Sequence, residues 1–208
     1  MKGKNDEHEL LHLKIIILGD AGAGKTSILK RYIENKFEPG ATTIVPIVSK
    51  KILSNNGKKF SIDLWDLPGQ DRNPIITRTF AKDCHGIIYC CEVNNTNSRD
   101  NLKDWEESLK SCRDIQDIPR IVIENKCDLL GDEIHFNDDI NLLKKTSKEL
   151  GCLNCFRTSA LNGYNVENAL NFLNNQIIKD FKIEGIDKNN HKKLKVKNSD
   201  GDDKSKCC

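Results

Sequence analysis

Apolar residues recur along the chain in two alternating rhythms. Short, β-branched runs at residues 13–18, 47–53, 60–65, 86–93 and 120–124, and a last one centred on Phe156, predict strands. Asn55-Asn56-Gly57 between the second and third runs is a hairpin signal. Elsewhere the apolar positions fall at helical spacing. Residues 27–35 carry Ile28, Leu29, Tyr32 and Ile33, and Leu102, Trp105, Leu109 and Cys112 mark a second face. Residues 140–150 form a third helix, stopped by Gly151, and residues 166–181 repeat Val166, Leu170, Leu173 and Ile177. Strands alternating with helices predict an α/β fold. Its sheet is mostly parallel and covered by helices on both faces, with the hairpin supplying one antiparallel strand. Residues 1–10 read as a flexible arm. Beyond residue 182 the pattern stops; Lys192, Lys193, Lys195 and Lys197 precede Asp200, Asp202 and Asp203, a segment too polar to build a core. The expected division is an arm at 1–10, one domain at 11–181 and a disordered tail at 182–208.

Composition narrows the class. The chain has 208 residues, and 33 Lys+Arg against 31 Asp+Glu leave a net charge of +2, which argues against a protein that coats nucleic acid. The apolar runs, such as residues 15–18, are strand-sized and far from a membrane span. A polar start predicts no secretory leader. Nine cysteines, an odd number, then read as reduced thiols rather than a disulfide framework. Seven are placed in or near the core. Cys152 and Cys155 form a lone C-x-x-C with no second pair, which weighs against zinc. Cys207 and Cys208, the last two residues, follow a polar tail with no core to hide them, by chance or as a lipid attachment site.

The run Gly19-Asp20-Ala21-Gly22-Ala23-Gly24-Lys25-Thr26 fits G-x-x-x-x-G-K-[ST] between a strand and a helix. Glycines let backbone N–H groups wrap phosphates, the helix N-terminus adds partial positive charge, Lys25 reaches the β- and γ-phosphates, and the Thr26 hydroxyl is offered to Mg²⁺. This motif alone says nucleoside triphosphate. Asn125-Lys126-Cys127-Asp128 and Thr158-Ser159-Ala160-Leu161 each follow a strand, on the rim where open α/β sheets bind ligands. A carboxylate at Asp128 accepts from guanine N1–H and the exocyclic amino group. Adenine lacks that donor pair and would leave a buried charge unpaired. Asn125 can bond the base and tie the loops together, the Lys126 stem can lie along the ring, and the Ala160 N–H can reach O6. Asp66-Leu67-Pro68-Gly69-Gln70 ends the strand containing Trp65. Asp66 can hold Mg²⁺ through water, the Gly69 N–H can meet the γ-phosphate, and Gln70 can orient the attacking water.

This order of motifs resembles the small Ras-like GTPases, over about residues 12–181 plus the last two. Trp65 ahead of Asp66 and the Cys207-Cys208 end look like the Rab branch. Thr77-Arg78 and the stretch through Phe156-Arg157-Thr158-Ser159-Ala160 look like its subgroup of lysosome-related organelles. The resemblance implies the P-loop NTPase (small G-protein) fold with a six-stranded sheet. It places Ser27 in the phosphate set, Phe37 on the guanine, and Ser159 and Leu161 beside the base. Thr43 matches the first-switch threonine that meets Mg²⁺ and γ-phosphate. The distance from Thr43 to Trp65 fits the family, but the segment from Phe37 to Thr43 is one residue short, which leaves Thr42 as the alternative. Rabs usually continue the first switch with Ile-Gly-x-Asp-Phe and carry Ala-Gly-Gln-Glu-Arg-Phe in the second. Here these read Ile44-Val45-Pro46-Ile47-Val48 and Pro68-Gly69-Gln70-Asp71-Arg72-Asn73, and a Tyr-Tyr pair becomes Phe80-Ala81.

The implied function is a monomeric GTP/GDP switch with Mg²⁺, regulating vesicle and endolysosomal trafficking. No arginine in the motifs is poised on the transferring phosphate, so unaided hydrolysis is expected to be slow; a partner's arginine is worth roughly 10³–10⁵ in rate. The family implies an exchange factor, a GTPase-activating protein and effectors, whose identity the altered switches do not carry over. It also implies a Rab escort protein, a prenyltransferase and a dissociation inhibitor. Cys207 and Cys208 match the double-geranylgeranylation signal, placing the protein on the cytoplasmic face of intracellular membranes with a cytosolic pool. The basic run either assists at anionic leaflets or is a solvated linker. Two other readings stay open: a GTP-binding scaffold that does not hydrolyse, favoured by Pro68 and the degraded first switch, and a P-loop nucleotide kinase, opposed by Asn125, Asp128, Ser159 and Ala160.

Overall fold

The computed structural model describes residues 10–40, 42–55, 58–70, 73–110, 117–130 and 140–183. Its elements in chain order are β1 (Leu11–Leu18), α1 (Lys25–Glu34), β2 (Ile47–Asn55), β3 (Lys58–Asp66), α2 (Pro74–Ala81), β4 (Gly86–Glu92), α3 (Thr96–Asp100), α4 (Leu102–Leu109), β5 (Arg120–Asn125), α5 (Ile140–Glu149), β6 (Asn154–Arg157) and α6 (Val166–Ile183). Among the described residues the strands form one six-stranded sheet, ordered β2-β3-β1-β4-β5-β6. All pairs are parallel except β2 with β3, whose register runs from Ile47 opposite Asp66 to Asn55 opposite Lys58. This is the mostly parallel α/β arrangement that the alternation predicts.

The period of two explains why β1 reads as an unbroken apolar run. Leu13, Ile15 and Ile17 pack under α1 and α6, while Ile16 and Leu18 point the other way, under α2, α4 and α5. Both faces are covered, so no position needs to be polar. Cys84, Cys90 and Cys91 are buried in these layers as thiols, Cys127 is buried just after β5, and Cys152 and Cys155 are half-buried. Among the described residues no helix is long and apolar enough to cross a membrane.

Two elements escape the apolar pattern. In α2, Ile75 and Ile76 face solvent while Thr77 and Ala81 are buried, so the apolar positions mark the wrong side. The helix is specified instead by its cap: the Asn73 side chain accepts from the Ile75 N–H, and Pro74 takes the first position, where its missing donor is not needed. The short α3 is likewise set by Asn95, whose side chain accepts from the Ser98 N–H. Helix α1 begins at Lys25, two residues before the apolar pattern does. Residues 1–9, 56–57, 71–72, Cys112 and 184–208 lie outside the described residues, and with them the arm, two of the three hairpin turn residues, most of the tail, and Cys207 and Cys208.

Candidate functional site

Strands β1, β3, β4, β5 and β6 run the same way and end on one rim, in Leu18, Asp66, Glu92, Asn125 and Arg157. The loops leaving that rim carry nearly every residue singled out above. Between them lies a cavity of about 310 Å³, lined at one end by Ala21, Gly22, Gly24, Lys25, Thr26, Ser27, Thr42, Thr43 and Gly69, and at the other by Phe37, Asn125, Lys126, Asp128, Ala160 and Leu161.

Loop 19–24 crosses directly over β4. Gly19 has φ +142°, and a Cβ there would sit 2.0 Å from the Cys90 carbonyl oxygen. Only glycine permits that approach. The Lys25 ammonium folds back over the loop and donates to the Gly19 and Asp20 carbonyls at 2.8 and 3.0 Å. Burial pulls this ammonium below its usual range. The Asp20 side chain is engaged outside the loop. Its carboxylate turns away to accept from Asn101 Nδ2 at 2.6 Å and Trp105 Nε1 at 3.0 Å, so no negative charge is aimed into a loop built for anions. On the facing loop, the Gly69 carbonyl accepts from the Ala21 N–H at 3.0 Å, and a Cβ on Gly69 would fall 2.4 Å from Ala21 N. The two loops are therefore in direct contact.

Three oxygen donors converge beside Lys25. Thr26 Oγ1 donates to Asp66 Oδ2 at 2.5 Å and lies 2.8 Å from Thr43 Oγ1, which donates to the same Asp66 oxygen at 3.3 Å. Thr43 rather than Thr42 brings its hydroxyl to this point; Thr42 lines the cavity beside it. The other Asp66 oxygen, Oδ1, is buried with no hydrogen-bond partner. Burial raises the Asp66 carboxyl above the usual range, opposed by the Thr26 hydrogen bond and the Lys25 charge. A buried carboxylate oxygen left without a donor, beside two hydroxyls, fits a hard divalent cation or the water that such a cation holds.

At the far end Asn125 ties three loops. Its Nδ2 donates to the Ala23 carbonyl at 3.1 Å, and its Oδ1 accepts from Thr158 Oγ1 at 3.2 Å and the Ala160 N–H at 3.1 Å. The Ala160 N–H, expected to face a base, is thus satisfied within the protein, as a buried donor must be. Ser159 Oγ donates to Asp128 Oδ1, and Lys126 pairs with Glu92 at 2.8 Å. Gly19, Ala23 and Ser159 are buried behind the lining residues, and Gln70 is exposed. The sequence pattern misses Arg31. From α1 it donates to the Ala160 carbonyl at 2.9 Å, the Leu161 carbonyl at 2.6 Å and the Asn35 carbonyl at 2.8 Å, fastening the base loop to the start of the first switch. A lone arginine on the polar side of a helix carries no signal of such a partner. Outside the cavity lining, Ile44, Val45, Ile47, Val48, Ile75 and Ile76 are exposed, and the Trp65 and Phe80 rings lie 5.7 Å apart.

Residues 14–179 match the Ras family. Among curated proteins the chain is similar to the Ras-related protein Rab-32C of Dictyostelium discoideum, 33% identical over 64% of this chain and 60% of that one. It is also similar to Rab-32A of the same organism, 31% identical over 80% of this chain and 78% of that one. Rab-13 of Mesocricetus auratus is 29% identical over 93% of this chain and 94% of its own length.

Proposed function

The chain belongs to the Ras family, as a Rab-type small GTPase, and from that premise we propose that it is a guanine-nucleotide switch. It binds GTP with Mg²⁺, hydrolyses it slowly, and acts in membrane trafficking. The observation that carries this reading is the convergence of Thr26, Thr43 and Asp66 at one end of a cavity whose other end presents Asn125 and Asp128. Thr26 and Thr43 offer hydroxyl oxygens to the metal, and Asp66 holds it through water. Bound Mg²⁺ supplies charge that neutralises the phosphates. Lys25 sits among Gly19, Ala21, Gly22 and Gly24 with its ammonium available to the β- and γ-phosphates. Asp128 accepts from guanine N1–H and the exocyclic amino group, while Phe37 packs on the ring and Ser159 holds the Asp128 carboxylate in place.

Nucleotide state is read through two segments. Thr43 and Gly69 meet the γ-phosphate side, so its loss frees both, and the apolar surface of Ile44, Val45, Ile47, Ile75 and Ile76 is presented differently to exchange factor, activating protein and effectors. Gln70 orients the attacking water, and Pro68 ahead of it restricts the loop. No chain arginine enters the phosphate end among its lining residues, which favours slow unaided turnover. The unit at 11–181 is the switch. The tail at 182–208 carries Cys207 and Cys208 as paired prenylation sites, a two-chain anchor on endosomal, lysosome-related or other vesicle membranes.

Single-turnover hydrolysis of GTP and ATP by the full chain, with Gln70→Leu alongside, tests the reading. GTP binding with slow hydrolysis, slower still in the variant, is expected. ATP turnover without GTP binding overturns it, and tight GTP binding with no hydrolysis replaces the switch by a scaffold. Mass spectrometry of the chain from its native cell, finding Cys207 and Cys208 unmodified, removes the anchor.

A further inference from the structure

Glu124 is wholly buried, at 0% exposure, one residue before Asn125. Its two oxygens are divided between two arginines that are themselves buried, at 3% and 2% exposure. Arg99 Nη1, from α3, donates to Oε1 at 3.0 Å, and Arg157 Nε, from the end of β6, donates to Oε2 at 2.7 Å. None of the three lines the cavity. A buried ion triad is a poor means of gaining stability, because apolar side chains of the same volume do as well or better. What it provides is direction: three elements must meet at one point or leave a charge uncompensated.

The place where they meet lies directly beneath the base. Arg157 precedes Thr158 as Glu124 precedes Asn125. The Thr158 N–H donates to the Glu124 carbonyl at 2.9 Å, and the Cys127 N–H donates to the Thr158 carbonyl at 3.0 Å. Besides these backbone bonds and the Ser159–Asp128 bond, the loops bearing Asp128 and Ala160 are joined by side chains at two depths. Asn125 joins them at the surface of the cavity, and the charged triad joins them one residue below. Helix α3 adds the third leg and leads back to β4, whose last residue, Glu92, holds Lys126. We infer that Arg99, Glu124 and Arg157 are positioning residues for guanine, fixing the separation of the Asp128 and Ala160 loops and so both the retention of nucleotide and the choice of base. This rests on the guanine-nucleotide reading of the cavity.

The test uses the full chain loaded with GDP. Glu124→Gln keeps the side-chain shape but removes the carboxylate charge that the two buried guanidiniums share. Release of GDP is expected to quicken by at least about tenfold, equivalent to roughly 1.4 kcal/mol. The preference for GDP over IDP, which lacks the amino group that Asp128 receives, should narrow by a similar factor. A second variant, Arg99→Met with Glu124→Leu and Arg157→Met, fills the same volume without charge. Its melting temperature should return to wild type or above, while release stays fast and base preference stays weak. Recovery of slow release and GDP preference in the apolar variant overturns the inference, because packing alone then suffices. So does a Glu124→Gln protein that melts earlier yet releases GDP and discriminates against IDP as wild type does. If the apolar variant does not fold, the GDP-to-IDP ratio of Glu124→Gln decides. If neither folds, Arg157→Lys, which keeps the charge and loses the guanidinium fork, is read the same way. Failure of the wild-type chain to bind GDP at all counts against the cavity reading instead.

Discussion

Replacing Gly19 and Gly22 separately by alanine probes the fit of the phosphate loop against the sheet. Both have positive φ, +142° and +83°. Their surroundings differ sharply. A Cβ on Gly19 meets the Cys90 carbonyl oxygen at 2.0 Å and its carbon at 3.0 Å, whereas a Cβ on Gly22 meets nothing within 4 Å. The backbone conformation costs an alanine about 1–2 kcal/mol at either place. At Gly19 overpacking adds about 1–3 kcal/mol, since Cys90 lies in a strand held between β1 and β5 and its carbonyl cannot retreat. The expected losses are therefore about 1–2 kcal/mol for Gly22→Ala and about 2–5 kcal/mol for Gly19→Ala. At roughly 2–4 °C per kcal/mol these become drops in Tm of about 2–8 °C and 4–20 °C. Urea unfolding followed by circular dichroism, at two GDP concentrations, separates the stability of the chain from that added by bound nucleotide, which grows as RT ln(1 + [L]/Kd). A Gly22→Ala loss equal to or larger than that of Gly19→Ala, once nucleotide is accounted for, refutes the steric reasoning.

Three further outcomes follow from other contacts. Trp105→Phe removes the indole N–H that donates to Asp20 at 3.0 Å and should lower stability by about 1–3 kcal/mol; an unchanged urea midpoint would mean that the carboxylate is held without the indole. Burial pushes the Tyr32 phenol up to about 12, against an unfolded value of about 10. Its contribution, on the order of 3 kcal/mol, is therefore complete below pH 10 and lost as pH climbs toward 12, and Tyr32→Phe should flatten the alkaline fall of the urea midpoint. Burial likewise holds the Cys90 and Cys152 thiols at about 12. Iodoacetamide at neutral pH should leave both unlabelled in the folded protein and label both in urea, as mass spectrometry reads; native labelling of Cys90 would show that the loop over β4 opens.

Much of this architecture is written in local patterns. The strands are legible because their β-branched runs are continuous and short, and the phosphate loop because its glycines and Lys25 occupy fixed positions between a strand and a helix. The choice between Thr42 and Thr43 is not local. It needs the three-dimensional approach of one hydroxyl to Thr26 and Asp66. Helix α2 is hidden for a different reason: its apolar Ile75 and Ile76 are reserved for the surface, so the usual link between hydrophobicity and burial is reversed. Asp20 belongs to a phosphate-binding motif, yet its side chain answers to a helix some 80 positions along the chain, 81 and 85 residues away. Glu124 reads only as the polar end of a strand, because nothing in the sequence pairs it with Arg99 and Arg157, 25 and 33 residues away.

The strand order leaves β2 and β6 as the two rims of the sheet, and an open rim is a template for pairing with another copy. The β6 rim is only four residues long. The β2 rim is nine residues long and carries exposed Ile47, Val48 and Ile52, a combination that invites aggregation. Its middle, however, is Lys50-Lys51, and Pro46 stands immediately before it. Two copies of β2 laid antiparallel about their centres would set Lys51 against Lys51. Like charges thus meet at the centre of the longest exposed edge, where apolar side chains alone would favour pairing.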